Sequence, residues 1–321
     1  MAYLIGTDEA GYAPNLGPLV ISATLWWVAE PTDGYDLYKR LKSHVCRHPS
    51  RGQKSRRLAI GDSKQLYTPA QGLQELERGV LTALALVDRC PDDWGDVWRL
   101  LDSDSHARFS ADPWHDNYDL RLPMAADVED LGRLVPRCRA GFERAGVRLL
   151  ALRSRAVFPD EFNRSTRDLG NKAEALSRAT LVLVDDMLKL CPREPVMVVC
   201  DKHGGRNFYG RLLQQQFPDL LVEVHGERGD HSMYRWGPPE TRIEVHFRTG
   251  GEAFMPAALA SMTSKYLREL AMRAFNDFWC TRVPGLAPTA GYPRDARRFK
   301  AAIQPLQAAL GIADHAVWRE R

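Results

Sequence analysis

The chain has 321 residues, enough to bury a substantial core as one large domain or as one domain carrying an excursion. Lys and Arg total 44 against 41 Asp and Glu, a formal charge of +3, so bulk charge selects no nucleic-acid partner and leaves only a local basic surface for one. Cys46, Cys90, Cys138, Cys191, Cys200 and Cys280 form no CxxC pair, which excludes a zinc quartet and suits a reducing compartment. No apolar run reaches membrane length, so the expectation is a soluble, cytoplasmic and monomeric protein with no membrane partner.

Apolar runs over residues 3–8 and 19–28 predict two neighbouring strands joined around 10–17. The first ends in Asp8-Glu9, followed by Ala10-Gly11. Adjacent carboxylates before a glycine turn can form half of a divalent-metal site, or simply a solvated turn. Strand neighbours point to opposite faces, so both acids can meet one site only where the strand ends. Residues 39–57 are basic, with Lys39, Arg40, Lys42, Arg47, Arg51, Lys54, Arg56 and Arg57, either a nucleic-acid contact or a solvated loop. Gly61-Asp62-Ser63-Lys64-Gln65-Leu66 follows, and a helix is predicted over 68–87 with Thr68 as N-cap and Pro69 at its first position.

The texture changes between 90 and 169, where Trp94, Trp98 and Trp114 sit among short apolar runs. This stretch is expected to be an inserted lid or subdomain, with a helix within 127–145 and a strand over 147–157. Its tryptophans are expected to pack rather than to stack on bases.

After residue 170 an amphipathic helix over 171–190 ends before Pro192 and Pro195. A buried strand over 196–201 terminates in Asp201, then Gly204-Gly205 leads to a helix from about Asn207. Strands over 220–225 and 242–248, a long helix over 257–279 started near Pro256, a loop over 284–294 and a helix over 296–310 complete the chain. The alternation predicts an α/β mixed sheet flanked by helices, one domain over 1–321 with a large insertion.

Asp8, Glu9 and Asp201 end apolar strands, and Glu252 lies between Gly250-Gly251 and the long helix. Sites of open α/β sheets gather at such strand ends. Four hard oxygen donors suit Mg2+ or Mn2+ better than zinc. The competing reading makes Asp201 a helix cap and Glu252 a surface turn residue. Ser63, Lys64, Ser261, Lys265 and Arg268 are placed to handle phosphate, although surface ion pairs explain any one of them equally well.

On these residues the chain resembles type 2 ribonuclease H, the family of ribonucleases HII and HIII. The segments that carry the resemblance are Gly6-Thr7-Asp8-Glu9-Ala10-Gly11, Gly17-Pro18-Leu19-Val20, Asp62-Ser63-Lys64-Gln65-Leu66 and Val198-Val199-Cys200-Asp201. Ala260-Ser261, Lys265, Arg268-Glu269 and Gly291-Tyr292-Pro293 continue them in order, framing residues 1–87 and 171–300. The resemblance implies an RNase H-like fold and endonucleolytic cleavage of the RNA strand of an RNA–DNA hybrid, leaving 3'-hydroxyl and 5'-phosphate ends. It implies two Mg2+ or Mn2+ ions held by Asp8, Glu9, Asp201 and Glu252, with Lys265 as a further catalytic residue. Gly11, Tyr12, Ala13, Asn15, Ser63, Lys64, Arg206, Ser261, Arg268 and Tyr292 would then bind substrate.

Four departures from the family pattern point to a divergent member. Gly11-Tyr12-Ala13-Pro14 stands where the family carries Gly-Arg-Gly or Gly-Lys-Gly, and Tyr12 cannot pair with phosphate as arginine does. Glu252 replaces Asp, one residue closer than usual to Ser261. Lys202-His203-Gly204-Gly205 follows Asp201, and His203 is expected either to assist proton transfer or to be an exposed turn residue. Finally, 90–169 is much longer than the family's equivalent. A metal nuclease for DNA or structured RNA, and a noncatalytic nucleic-acid binder, are the alternatives.

Overall fold

The computed structural model describes residues 2–29, 35–49, 56–68, 70–102, 105, 108–109 and 111–320. Arg51, Lys54 and Pro69 therefore lie outside the described residues.

Strands β1 (Ala2–Ala10) and β2 (Leu19–Val28) pair antiparallel at the centre of a seven-stranded mixed sheet. The remaining strands of that sheet are β5 (Val147–Val157), β6 (Val196–Asp201), β7 (Glu223–Glu227), β8 (His231–Trp236) and β9 (Ile243–Arg248). Their order is β5-β2-β1-β6-β9-β8-β7, with β1, β6 and β9 parallel to one another. The short β3 (Val45–Cys46) and β4 (Leu58–Ala59) form a separate parallel pair.

Two short helices, α1 (Leu37–Arg40) and α2 (Ser63–Leu66), precede α3 (Gln74–Leu86) and α4 (Trp94–Leu101). Helices α5 (Val128–Arg144), α6 (Pro159–Leu169) and α7 (Lys172–Leu188) bracket β5 and lead to β6. Then come α8 (Gly210–Gln216), the long α9 (Met255–Arg282), α10 (Pro293–Ala309) and α11 (Asp314–Val317). The mixed sheet flanked by helices that the alternation of elements predicts is thus present.

Strand alternation sorts the core onto two faces. Leu4, Val20, Trp26 and Val28 pack with α3 and α9, whereas Tyr3, Ile5, Leu19, Ile21 and Leu25 pack with α7 and α8. The α9 face comes unusually close to β1 at Gly6, where an added Cβ would fall 2.1 Å from the Ala257 nitrogen. Only glycine lets the first turn of α9 sit on the strand that carries Asp8. Hydroxyls fix the same contact: Thr24 Oγ1 donates to the Pro256 carbonyl over 2.8 Å, and Ser264 Oγ lies 2.9 Å from the Asp8 carbonyl and 2.8 Å from Ser22 Oγ.

Several boundaries differ from expectation. The helix predicted from residue 68 begins at Gln74, because Thr68 closes a turn onto Gln71 and Gly72 takes φ +73°. The helix expected from Asn207 begins at Gly210. Strand β8 had no counterpart in the sequence reading. Within 90–169, β5 is an edge strand of the main sheet, paired along the whole of β2. Trp94, Trp98 and Trp114 are buried: Trp94 and Trp98 pack around Phe109, and Trp114 packs against Phe275, so packing is their role.

Candidate active site

Parallel pairing brings the acids together. Thr7 is level with Cys200, so the next residues, Asp8 and Asp201, leave the same end of adjacent strands. Asp201 is in turn level with Arg248, and the chain beyond β9 turns back through Gly250 and Gly251 to present Glu252. Asp201 Oδ1 accepts from the Gly251 N–H over 3.0 Å, tying that turn to the central strand.

Asp8, Glu9, Asp201 and Glu252 line one cavity of about 330 Å³, shared with Gly11, Tyr12, Ala13, Ser63, Lys64, Ser261, Lys265, Arg268 and Tyr292. Burial and the neighbouring Asp201 push the Asp8 carboxyl up to about 7, against a pull down from Ser261. Burial, then Asp8 and Asp201, raise Glu9 well above the carboxylate range, and burial also raises Asp201 despite the Gly251 N–H. Converging carboxylates with displaced protonation make this a candidate functional site, and a cation would relieve their repulsion.

The donor set fits a hard divalent cation in kind: four oxygen-bearing groups on one wall. Among the described residues, however, no three His, Cys, Asp or Glu side chains stand in an arrangement that could hold a metal ion. Asp8 Oδ1 instead accepts from the Glu9 N–H over 2.8 Å, and Asp201 is turned to Gly251.

The other expected residues divide into two groups. Ser63 and Ser261 touch at 3.1 Å between hydroxyls, locking the Asp62–Lys64 turn to α9, and Asp62 caps α2 through the Lys64 N–H. Lys265 is not directed at Glu252: its Nζ is 2.6 Å from Glu269 Oε1, and Tyr67 donates to the other oxygen over 2.8 Å. Tyr292 is half exposed at the rim. Two residues expected to bind substrate, Asn15 and Arg268, are held by backbone carbonyls, and a third, Arg206, stands outside the cavity lining. Asn15 is buried and donates to the Arg319 carbonyl over 2.8 Å. Arg268, though it reaches the cavity wall, is buried and donates to the Leu16 and Ala290 carbonyls over 3.2 and 3.0 Å. Arg206 lies outside the cavity lining and ahead of α8, so no helix N-terminus backs it.

His203 follows neither expectation. It is 1% exposed, its Nδ1 is 2.9 Å from Ser177 Oγ, and its ring packs edge-on to Tyr209 and Phe247. Burial pushes it down to about 3, so it is neutral and out of reach of the cavity.

Arg319 escaped the sequence reading, and Arg47, read there as a nucleic-acid contact or part of a solvated loop, has a contact it did not foresee. Arg319 donates through Nη2 to the carbonyls of Gly11 and Pro14, clasping the turn after the first acids from the far end of the chain. Arg47, stacked 3.7 Å above the Tyr38 ring, donates to the Ala253 carbonyl over 3.1 Å, directly after Glu252. Neither leaves a local signal, because each acts across long sequence separation.

No family model matches the chain, and no curated protein matches it. Solved structures to which it is similar include ribonuclease H2 from Pyrococcus horikoshii OT3, at 16% identity over 98% of this chain and 92% of that one, with a TM-score of 0.45. RNase HII from Archaeoglobus fulgidus, solved as a complex with PCNA, matches at 14% identity over 99% and 94%, TM-score 0.41. Bst-RNase HIII in complex with Mn2+ matches at 14% identity over 99% and 66%, TM-score 0.40. The chain is similar to solved type 2 ribonucleases H at a distance that assigns no residue its role.

Proposed function

We propose that the protein is a divalent-cation-dependent endoribonuclease that cuts the RNA strand of an RNA–DNA hybrid, leaving 3'-hydroxyl and 5'-phosphate ends. The observation that carries this reading is the convergence of Asp8, Glu9, Asp201 and Glu252 on one cavity wall, from three separate parts of the sequence. Asp8, Glu9, Asp201 and Glu252 are the residues that would hold Mg2+ or Mn2+. A cation bound there would polarise the phosphate and make water acidic enough to attack at neutral pH.

The chain's own groups do the positioning. Lys64, whose charge bears on Glu9 and Asp201, faces the same cavity and offsets the phosphate's negative charge. Ser264 holds the Asp8 carbonyl, which fixes the strand end from which both first acids leave. Lys265 acts through Glu269 and Tyr67, keeping the α9 wall of the cavity in register. Tyr292 at the rim offers an exposed ring to a sugar or base.

The test uses purified full-length protein with matched RNA–DNA hybrid, RNA duplex and DNA duplex, in Mg2+, in Mn2+ and in chelator. Cation-dependent cutting confined to the RNA strand of the hybrid supports the proposal. Cutting of DNA or RNA duplex at the hybrid rate, or none of the hybrid in either cation, overturns it.

A further inference from the structure

We propose that Lys172, seated on the ring of Tyr12, forms with Arg206 a subsite for a backbone phosphate of the nucleic acid, beside the acidic cavity. The inference rests on the nuclease reading and adds to it a place where the strand is gripped.

Tyr12 lines the cavity, and the Lys172 ammonium lies 4.5 Å from its ring centroid. A cation over a tyrosine face is held electrostatically without losing its charge. Gly204, at φ +55°, passes close to the Tyr12 hydroxyl: an added Cβ would fall 2.4 Å from its oxygen. Lys172 already takes one face of the ring, so that face is not a free stacking platform.

The local charge is in surplus. Among the described residues, Lys172 has no carboxylate or hydrogen-bonding partner. Arg206 makes only long contacts, 3.5 Å from Nη2 to Glu174 and 3.5 Å from Nη1 to the Phe208 carbonyl, and its buried Nε has no partner. Glu174 is the one carboxylate in reach, and it is shared with Arg178 at 3.0 Å and Arg211 at 3.6 Å. Burial and Glu9 raise the Tyr12 hydroxyl and Arg206 lowers it, so the charges of both the acids and Arg206 reach this ring. A polyanion reaching the acids gains most by laying one phosphate against Lys172 and Arg206, and phosphate contacts of this kind set register rather than sequence preference.

The experiment measures binding of a labelled RNA–DNA hybrid to full-length protein carrying Asp8→Asn, which prevents turnover, across a salt series. Lys172→Met, Tyr12→Ala, Tyr12→Phe and Lys172→Met/Tyr12→Ala are compared on that background, with melting temperatures checking the fold. Lys172→Met should weaken binding about tenfold and lower the slope of log K against log salt by about 0.9. Tyr12→Ala should reproduce the loss, the double variant should add little to either single one, and Tyr12→Phe should keep the slope because it keeps the ring. An unchanged slope in Lys172→Met, or losses that add in the double variant, overturns the subsite while leaving the nuclease reading intact. A parent that binds no hybrid overturns the nuclease reading and the subsite with it.

Discussion

The Gly251 N–H donates to Oδ1 of Asp201 over 3.0 Å, so the turn bearing Glu252 is anchored to the acid at the end of β6. One carboxylate therefore both lines the cavity and braces the turn that presents another. Substitution can separate the two duties. Asp201→Asn keeps an oxygen for Gly251 and removes one of the repelling charges, so cation-free it should melt at or above the parent, whereas Asp201→Ala should lie about 1 kcal/mol below the Asn variant. Both should lose hybrid cleavage. Equal melting temperatures for Asn and Ala would show that the tie carries no stability.

Stability should depend on pH and cation together. Asp8 is raised to about 7 by burial and Asp201, so its protonated form favours the fold. That contribution is complete below the unfolded carboxyl value and is lost as pH rises through about 7. Glu9 and Asp201 shift in the same direction. Cation-free protein should therefore melt lower at about pH 8 than at about pH 5.5 on account of this cluster. Mg2+ or Mn2+ should restore stability at the higher pH, by about 2.7 kcal/mol at a hundredfold excess over its Kd, and do little at the lower. Asp8→Asn should abolish much of this pH dependence. Melting curves that ignore Mn2+ at both pH values would contradict a cation site here.

The chain's end should matter to substrate binding. Arg319 is buried beneath the Gly11–Pro14 turn, and its backbone N–H and carbonyl pair with Asn15. Arg319→Ala leaves the Gly11 and Pro14 carbonyls without this donor and should cost about 2 kcal/mol. It should also raise KM for hybrid more than it lowers kcat, since the turn lines the cavity but carries no site acid. Unchanged thermal stability and KM would remove Arg319 from this role.

Much of the architecture was legible because strand periodicity and caps are local. The span 147–157 coincides with β5, where buried apolar residues are interleaved with exposed polar ones between Gly146 and Pro159, and 196–201 coincides with β6, an apolar run that follows Pro195. The helix expected over 171–190 matches α7 to within two residues, with Asn171 standing just outside it as the cap that accepts from the Glu174 N–H. Strand β8 was hidden because its buried residues are Ser232, Tyr234 and Trp236, an alternation with little aliphatic signature. The acids were visible as strand endings, but their meeting depends on the parallel register of β1 and β6, which no local pattern encodes. His203 misled because a residue before two glycines suggests an exposed turn; the turn instead folds its ring under Tyr209 and Phe247. The Arg319 clasp on Gly11 spans 308 residues, beyond the reach of any motif.

Hybrid cleavage by Asp8→Asn, Asp201→Asn and Glu252→Gln, measured beside the parent in Mn2+ and with melting temperatures matched, tests the shared role of these acids most directly. Each variant should lose at least roughly a hundredfold in rate. A parent that cuts hybrid while any of the three variants cuts at its rate would contradict the account.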